Sequence, residues 1–169
     1  MKLNANKKNE QTERALILVK AVPRPSQRHG ETVCCAGVTL GREWRRLYPI
    51  RFRQLGENRF ERWQWVQYKW RPPTSDARTE SRHVFEDTLE PGSLMPERER
   101  AEFLEPLLVA SVTRAAARGQ SLALVRPKQV RFRWKDKPVQ RINDERAAYQ
   151  TAARQSSFFD KELAGTAKP

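Results

Sequence analysis

Arg42, Arg45, Arg46, Arg51 and Arg53 fall within the stretch Gly41–Gln54 (GREWRRLYPIRFRQ), where Glu43 is the only carboxylate. A second tract, Arg126–Arg141 (RPKQVRFRWKDKPVQR), carries seven cations, Lys128, Arg131, Arg133 and Lys135 among them, against Asp136 alone. Guanidinium groups make planar two-point contacts to phosphate and stack on rings. Residues of this type at this density fit the neutralisation of a polyanion. The two tracts hold +4 and +6 of a net charge of +13. A genome rich in Arg codons raises the arginine count everywhere, whereas an electrostatic footprint gathers the charge, as here.

Binding of single-stranded nucleic acid also needs aromatic platforms beside the cations. Trp65 is the leading candidate, because it shares a strand face with Lys69 and Arg71. Trp44 and Tyr48 have the parity of Arg46, so either ring could stand beside that cation, although any one Trp is more often core. The loop Pro23–Gly30 (PRPSQRHG) adds Arg24, Arg28 and His29 at the rim expected of a ligand groove. In the second tract Val130, Phe132 and Trp134 alternate with Arg131, Arg133 and Lys135. That pattern suits a half-buried strand, apolar inside and charged outside. The functional reading adds that these three cations line a groove shared with the first tract.

Other chemistry has thin support. His29 and His83 are the only histidines. His83 lies near Glu86 and Asp87, but no second His or Cys stands at ligand spacing, so neither a metal site nor a cofactor is expected. Phosphate-loop, dinucleotide-binding and nucleophile-elbow motifs are absent from the sequence, and no catalytic residue is assigned. A nuclease drawing on Glu86, Asp87 and Glu90 is a third reading, behind nucleic-acid binding and behind a module that docks an acidic protein partner. Cys34 and Cys35 are adjacent, so on a strand they face opposite ways and pair poorly. Two such thiols suit a reducing cytoplasm.

The elements that must position these residues are mostly short strands. Met1–Arg14 reads as a polar tail without the features of a signal peptide. Strands are expected at Ala15–Val22, Thr32–Thr39, Glu43–Ile50 and Gln64–Arg71, with a turn at Leu40–Gly41. In the fourth, Val66, Tyr68 and Trp70 share one face. Phe52–Trp63 is expected to be irregular, with a helical turn bringing Phe60 to Trp63. Arg82–Leu89 is a further strand. Pro96–Arg118 is the main helical segment, kinked or split at Pro106 and stopped by Gly119. Leu122–Val125 and Gln129–Lys135 form a last strand pair, and Asn143 caps a short helix reaching about Gln155. The longest apolar run, Ala15–Val19, is too short to cross a bilayer, so no membrane partner is expected.

These elements predict a mainly β (α+β) protein: a small OB-like β-barrel with a helical insertion at about 96–118 and a C-terminal helix. Residues 1–14 form the tail and 15–142 the barrel domain. Residues 143–169 form a short helix and polar tail that read as the start of a second unit.

Several stretches together, KAVPRP, GETVCCAGV, WRRLYPIRFR, RFERWQWV, RHV, LEPLL and GQSLALVRPKQV, resemble the N-terminal part of prokaryotic dual OB-fold domain proteins. The resemblance covers Ile17 to Lys135 and is most distinctive at WRRLYPIRFR and SLALVRPK. It implies a nucleic-acid-binding or sensing module associated with mobile elements and phage defence. It also implies a continuation past the point where this chain ends, and it carries over no catalytic residues.

Overall fold

The computed structural model describes residues 10–21, 24–26, 30–51 and 55–151; the side chains of residues 24–26, 30 and 31 lie outside this description. Five strands close into a barrel: β1 (Gln11–Lys20), β3 (Gly30–Val38), β4 (Trp44–Ile50), β5 (Gln64–Arg71) and β6 (Ser81–Val84). Taken first to fifth along the chain, they pair around the ring in the order first, second, third, fifth, fourth and back to first. The β4–β6 pair is parallel, with Arg46, Leu47 and Tyr48 opposite Ser81, Arg82 and His83. The β1–β3, β1–β5, β3–β4 and β5–β6 pairs are antiparallel. This is the Greek-key connectivity of a small OB-like barrel. A short β2 (Arg24–Ser26) pairs with β3, and β7 (Glu90–Leu94) lies along β5 beyond the point where β6 ends.

β1 shows why its sequence is apolar without alternation. Ala15, Leu16, Ile17 and Leu18 are all buried. Ala15 and Ile17 point into the barrel with Val33, Cys35, Leu47, Val66, Tyr68 and Val84. Leu16 and Leu18 point outward into a second cluster with Val38 and Met95, covered by Trp44, Trp63, Trp65, Phe103, Leu104 and Leu107. A strand buried on both faces has no wet side to encode. The strand also begins earlier than expected. Residues 11–14, read from sequence as tail, pair with Gln67–Trp70 of β5; their polar character reflects the barrel's end and not fraying.

The cover comes from α1 (Glu97–Leu104), which opens after Pro96 with Glu97 and Glu99 in its first turn, where carboxylates suit the helix dipole. A 3-10 turn at Glu105–Leu107 contains Pro106 and ends the helix. The expected helix over 96–118 is therefore two helices. Between them β8 (Leu108–Val109) pairs in parallel with β9 (Leu124–Val125). Then α2 (Val112–Ala117) starts at Ser111, whose hydroxyl accepts from the Arg114 N–H at 3.1 Å. Gly119, at φ +70°, follows the helix end, where a left-handed residue closes the last turn.

Other expectations need correction. The strand expected at Arg82–Leu89 stops at Val84, and Glu86–Thr88 is a 3-10 turn. Phe60 and Trp63 part company: Phe60 enters the barrel core and Trp63 the outer cluster. The largest departure is at 129–135. No strand forms there among the described residues, and the chain next becomes regular as α3, helical over residues 139–151. Asn143 thus lies inside that helix and not at its start. No helix among the described residues is long and apolar enough to cross a membrane.

Two measurements check this arrangement. A Cβ at Gly37 would collide with the backbone carbonyl oxygen of Leu16, where β1 and β3 approach closely. Gly37→Ala is therefore expected to cost about 1–3 kcal/mol in urea unfolding, the usual price of overpacking. Cys35 is fully buried, and desolvation pushes its thiol up to about 12, whereas Cys34 is half-buried. A thiol reagent at neutral pH should modify one cysteine in the native protein and both after unfolding. Two reactive thiols in the folded state would contradict the inward placement of Cys35.

Candidate nucleic-acid interface

The first basic tract lies on β4, and the fold places its arginines on different surfaces. Arg45 has the inward parity of Leu47 and sits opposite Gly37 at one end of the barrel. Its Nε donates to Glu13 Oε1 at 2.7 Å and its Nη2 to Glu43 Oε2 at 2.5 Å. The Tyr68 hydroxyl donates to the other oxygen of Glu13 at 2.9 Å. Arg82, inward from β6, brings its Nε to 3.5 Å from Glu13 and lays its guanidinium 3.8 Å from the centre of the Trp70 ring. The Arg45 and Arg82 side chains are each 11% exposed and Glu13 is 18% exposed.

The charge states follow from that crowding. Burial works against the Arg45 charge, but the hydrogen bonds it donates to Glu13 and Glu43 outweigh this and raise its pKa. Arg82 is lowered, first by burial and then by Arg45, with Glu13 opposing. Burial pushes the Tyr68 phenol well above its ordinary range, and the Glu13 charge adds to this. The group is a polar plug inside the barrel. Arg45, expected from sequence to meet phosphate, is already used, because a buried guanidinium requires a carboxylate partner.

The other expected barrel residues are also mostly engaged. Arg46 faces outward, but its Nη2 donates to Ser121 Oγ at 3.0 Å and its Nη1 approaches Cys34 Sγ at 3.7 Å. Arg51 pairs with Glu86 through Nε at 2.7 Å and through its backbone N–H. Tyr48 is exposed on β4, with the Thr32 hydroxyl 3.5 Å from its own. Trp65 is not an open platform: its ring meets Phe103 edge-on at 5.7 Å, and the Arg14 guanidinium lies 5.2 Å from it. Trp44 packs into the same outer cluster. Lys69 is exposed and Arg71 half-buried. Arg28, Arg53 and His29 lie outside the described residues, and of Arg24 only the backbone is described.

A cleft of about 570 Å³ opens between this end of the barrel and residues 106–123. Arg42, Arg45, Arg82 and Arg118 line it together with Glu43 and Glu80, so its charge is mixed. The loop before β6 is braced by Asp76, which accepts from Arg78 Nη2 at 2.7 Å and from the Ser81 hydroxyl at 2.6 Å. Those bonds hold the Asp76 carboxyl well below the usual range.

A family model described as a domain of unknown function, DUF8758, matches residues 11–106. The chain belongs to the DUF8758 family. No curated protein and no solved structure matches it. The DUF8758 match takes in the barrel, α1 and the start of the 3-10 turn, and it ends ahead of the second basic tract.

Beyond the DUF8758 match, that tract is arranged unlike the barrel. Arg126 pairs with Glu105 at 2.9 Å, and Lys137 and Arg141 pair with Glu145 at 2.7 and 3.5 Å. Between them Lys128, Arg131, Arg133 and Lys135 are exposed and meet no acid among the described residues. Val130, Phe132 and Trp134, expected inside a strand, are 60%, 84% and 93% exposed. Sequence reasoning assigned the two rings to a core because alternation is what a half-buried strand needs. The opposing signal was Pro127 and Pro138, which bracket the segment and break a ladder at both ends. Among the described residues, no hydrogen bond, ion pair or ring contact joins Arg131, Arg133 or Lys135 to β4.

Of the carboxylates named for a nuclease, Glu86 pairs with Arg51 and Glu90 accepts from Gln67. Among the described residues no three His, Cys, Asp or Glu side chains are grouped to hold a metal ion.

The plug is directly testable. Glu13→Gln leaves Arg82 without its carboxylate and Arg45 with Glu43 alone. It is expected to lower stability by about 3 kcal/mol in denaturant unfolding, as losing one member of a buried ion pair does. An unchanged midpoint would mean that these charges are solvated.

Proposed function

We propose that this protein binds nucleic acid, using Lys128, Arg131, Arg133 and Lys135 to neutralise phosphates beside an OB-like barrel. The observation that carries this reading is the lack of acidic partners for those four cations among the described residues, next to a barrel whose arginines are largely paired internally. A cation already paired gains little from a phosphate, whereas an exposed unpaired one releases a condensed counterion on binding. The OB-like barrel is compatible with the reading, because folds of this kind hold oligonucleotides and oligosaccharides alike. The resemblance to prokaryotic dual OB-fold proteins points the same way and suggests a mobile-element or phage-defence setting in the cytoplasm, where two unpaired thiols stay reduced.

Fluorescence anisotropy with labelled oligonucleotides across a salt series tests the reading. Four phosphate contacts on a single strand predict that log K falls with log salt at a slope of about −3, roughly −0.7 per contact. In Arg131→Ala/Arg133→Ala/Lys135→Ala the slope should shrink to about −1, with affinity at low salt at least tenfold weaker. Weak binding with no salt response, or a triple variant that binds like the parent, would remove the proposal.

A further inference from the structure

Charge neutralisation alone gives no reason for aromatic rings within the same tract. The chain has five tryptophans. Trp44, Trp63 and Trp65 pack in the outer cluster and Trp70 in the barrel core. Trp134 is the exception, 93% exposed, with Phe132 at 84% two residues before it. Neither ring makes a ring contact among the described residues. A cation stands on each side of both rings: Arg131, Arg133 and Lys135.

We propose that residues 126–137 form a stacking arm for single-stranded nucleic acid, in which Phe132 and Trp134 receive unpaired bases while the intervening cations hold the phosphates. This rests on the nucleic-acid reading above and specifies its substrate class. Along an extended chain, residues two apart are separated by about 6.7 Å. That is roughly twice the 3.4 Å spacing of successive bases on one strand. Two rings at that separation leave room for one base between them, with a further face outside each ring. The cations alternate with the rings in sequence, so in an extended chain they would fall on the opposite side, where the phosphates of the same nucleotides can run. A duplex offers no comparable fit. Its base faces are already stacked on one another, and its grooves present hydrogen-bonding edges that a phenyl ring cannot read.

The arm also differs from the usual binding face of an OB-like barrel, which lies on its second and third strands. Here those strands are β3 and β4. Trp44 on that face is packed, and Arg46 is tied to Ser121. Tyr48 is the exposed ring of that face, and the arm adds two rings that are more exposed still.

The test compares three full-length proteins: the parent, Phe132→Ala/Trp134→Ala, and the triple cation variant. Each is titrated with a single-stranded oligonucleotide and with the duplex of the same sequence. All the substituted side chains are exposed, so the fold should persist, and thermal melting checks this. The ring variant is expected to lose at least tenfold in affinity for the single strand, to keep its salt slope, and to bind duplex as the parent does. Titration of the parent should quench tryptophan fluorescence, and Trp134→Phe should abolish most of that quenching. Should the ring variant bind like the parent while the cation variant is weakened, the stacking arm is refuted and the nucleic-acid reading stands. Should the parent bind neither oligonucleotide, that reading falls too. Should sedimentation show a dimer of the parent that the ring variant dissolves, the rings cover a second copy of the chain and the arm is overturned.

Discussion

The burial of β1 on both faces is the constraint from which the rest of the arrangement follows. Closing the ring through β1 puts Ala15 and Ile17 inside the barrel, and the same strand then presents Leu16 and Leu18 outward. Each such side chain contributes about 1.5–3 kcal/mol when withdrawn from water, so the outer face cannot stay bare. Its cover recruits Phe103, Leu104 and Leu107 from α1 and the following turn, and Trp44, Trp63 and Trp65 from the barrel wall. Three of the five indoles are thereby committed to structure. The position of α1, the packing of Trp65 against Phe103 and the loss of Trp44 from the ligand face are consequences of one strand needing cover on two sides.

The same closure governs the charges. Inward parity at the end of the barrel carries Glu13, Arg45 and Arg82 into a space too dry for any of them alone. One carboxylate placed between two guanidinium groups makes the end of the barrel tolerable, and the Tyr68 hydroxyl satisfies its remaining acceptor. Ion pairs of this kind hold the geometry more than they add stability. They also engage two arginines that a ligand could otherwise meet, and Arg51 is engaged in the same way by Glu86. The formal +13 is therefore unevenly placed: several barrel arginines sit beside acids, whereas Lys128, Arg131, Arg133 and Lys135 meet none among the described residues.

Much of the barrel was legible in the sequence. Gln64–Arg71 is a strand with the expected bounds, and Val66, Tyr68 and Trp70 do share its inner face. A strand with one wet face and one dry one writes its orientation into alternation. β4 was found within a residue, and Pro106 and Gly119 were correctly read as helix breakers. The misses have a common cause: pairing is not written locally. Residues 11–14 look like a tail, since their partners lie more than fifty residues away on β5. Glu13 gives no local sign that it will meet Arg45 and Arg82. Single tryptophans, likewise, do not reveal whether a helix from elsewhere in the chain will cover them.

The segment at 129–135 shows where such reading runs out. Alternation of ring and cation has two physical solutions. One is a strand with a dry face; the other is an exposed strip that offers rings and charges to something outside the molecule. The residues do not distinguish them, because the deciding quantity is whether a sheet edge is free to take the strand. In this fold the barrel strands pair around a complete ring, and β7 lies along β5 where β6 has ended. Pro127 and Pro138 would in any case interrupt a ladder at both ends of the segment. With no strand formed and no cover over the rings among the described residues, Phe132 and Trp134 are left exposed. An exposed indole and phenyl beside unpaired cations gain more from a ligand that carries both flat apolar faces and negative charge than from one that carries charge alone. That requirement is the ground on which the proposed ligand is an unpaired nucleic-acid strand and not an acidic protein surface.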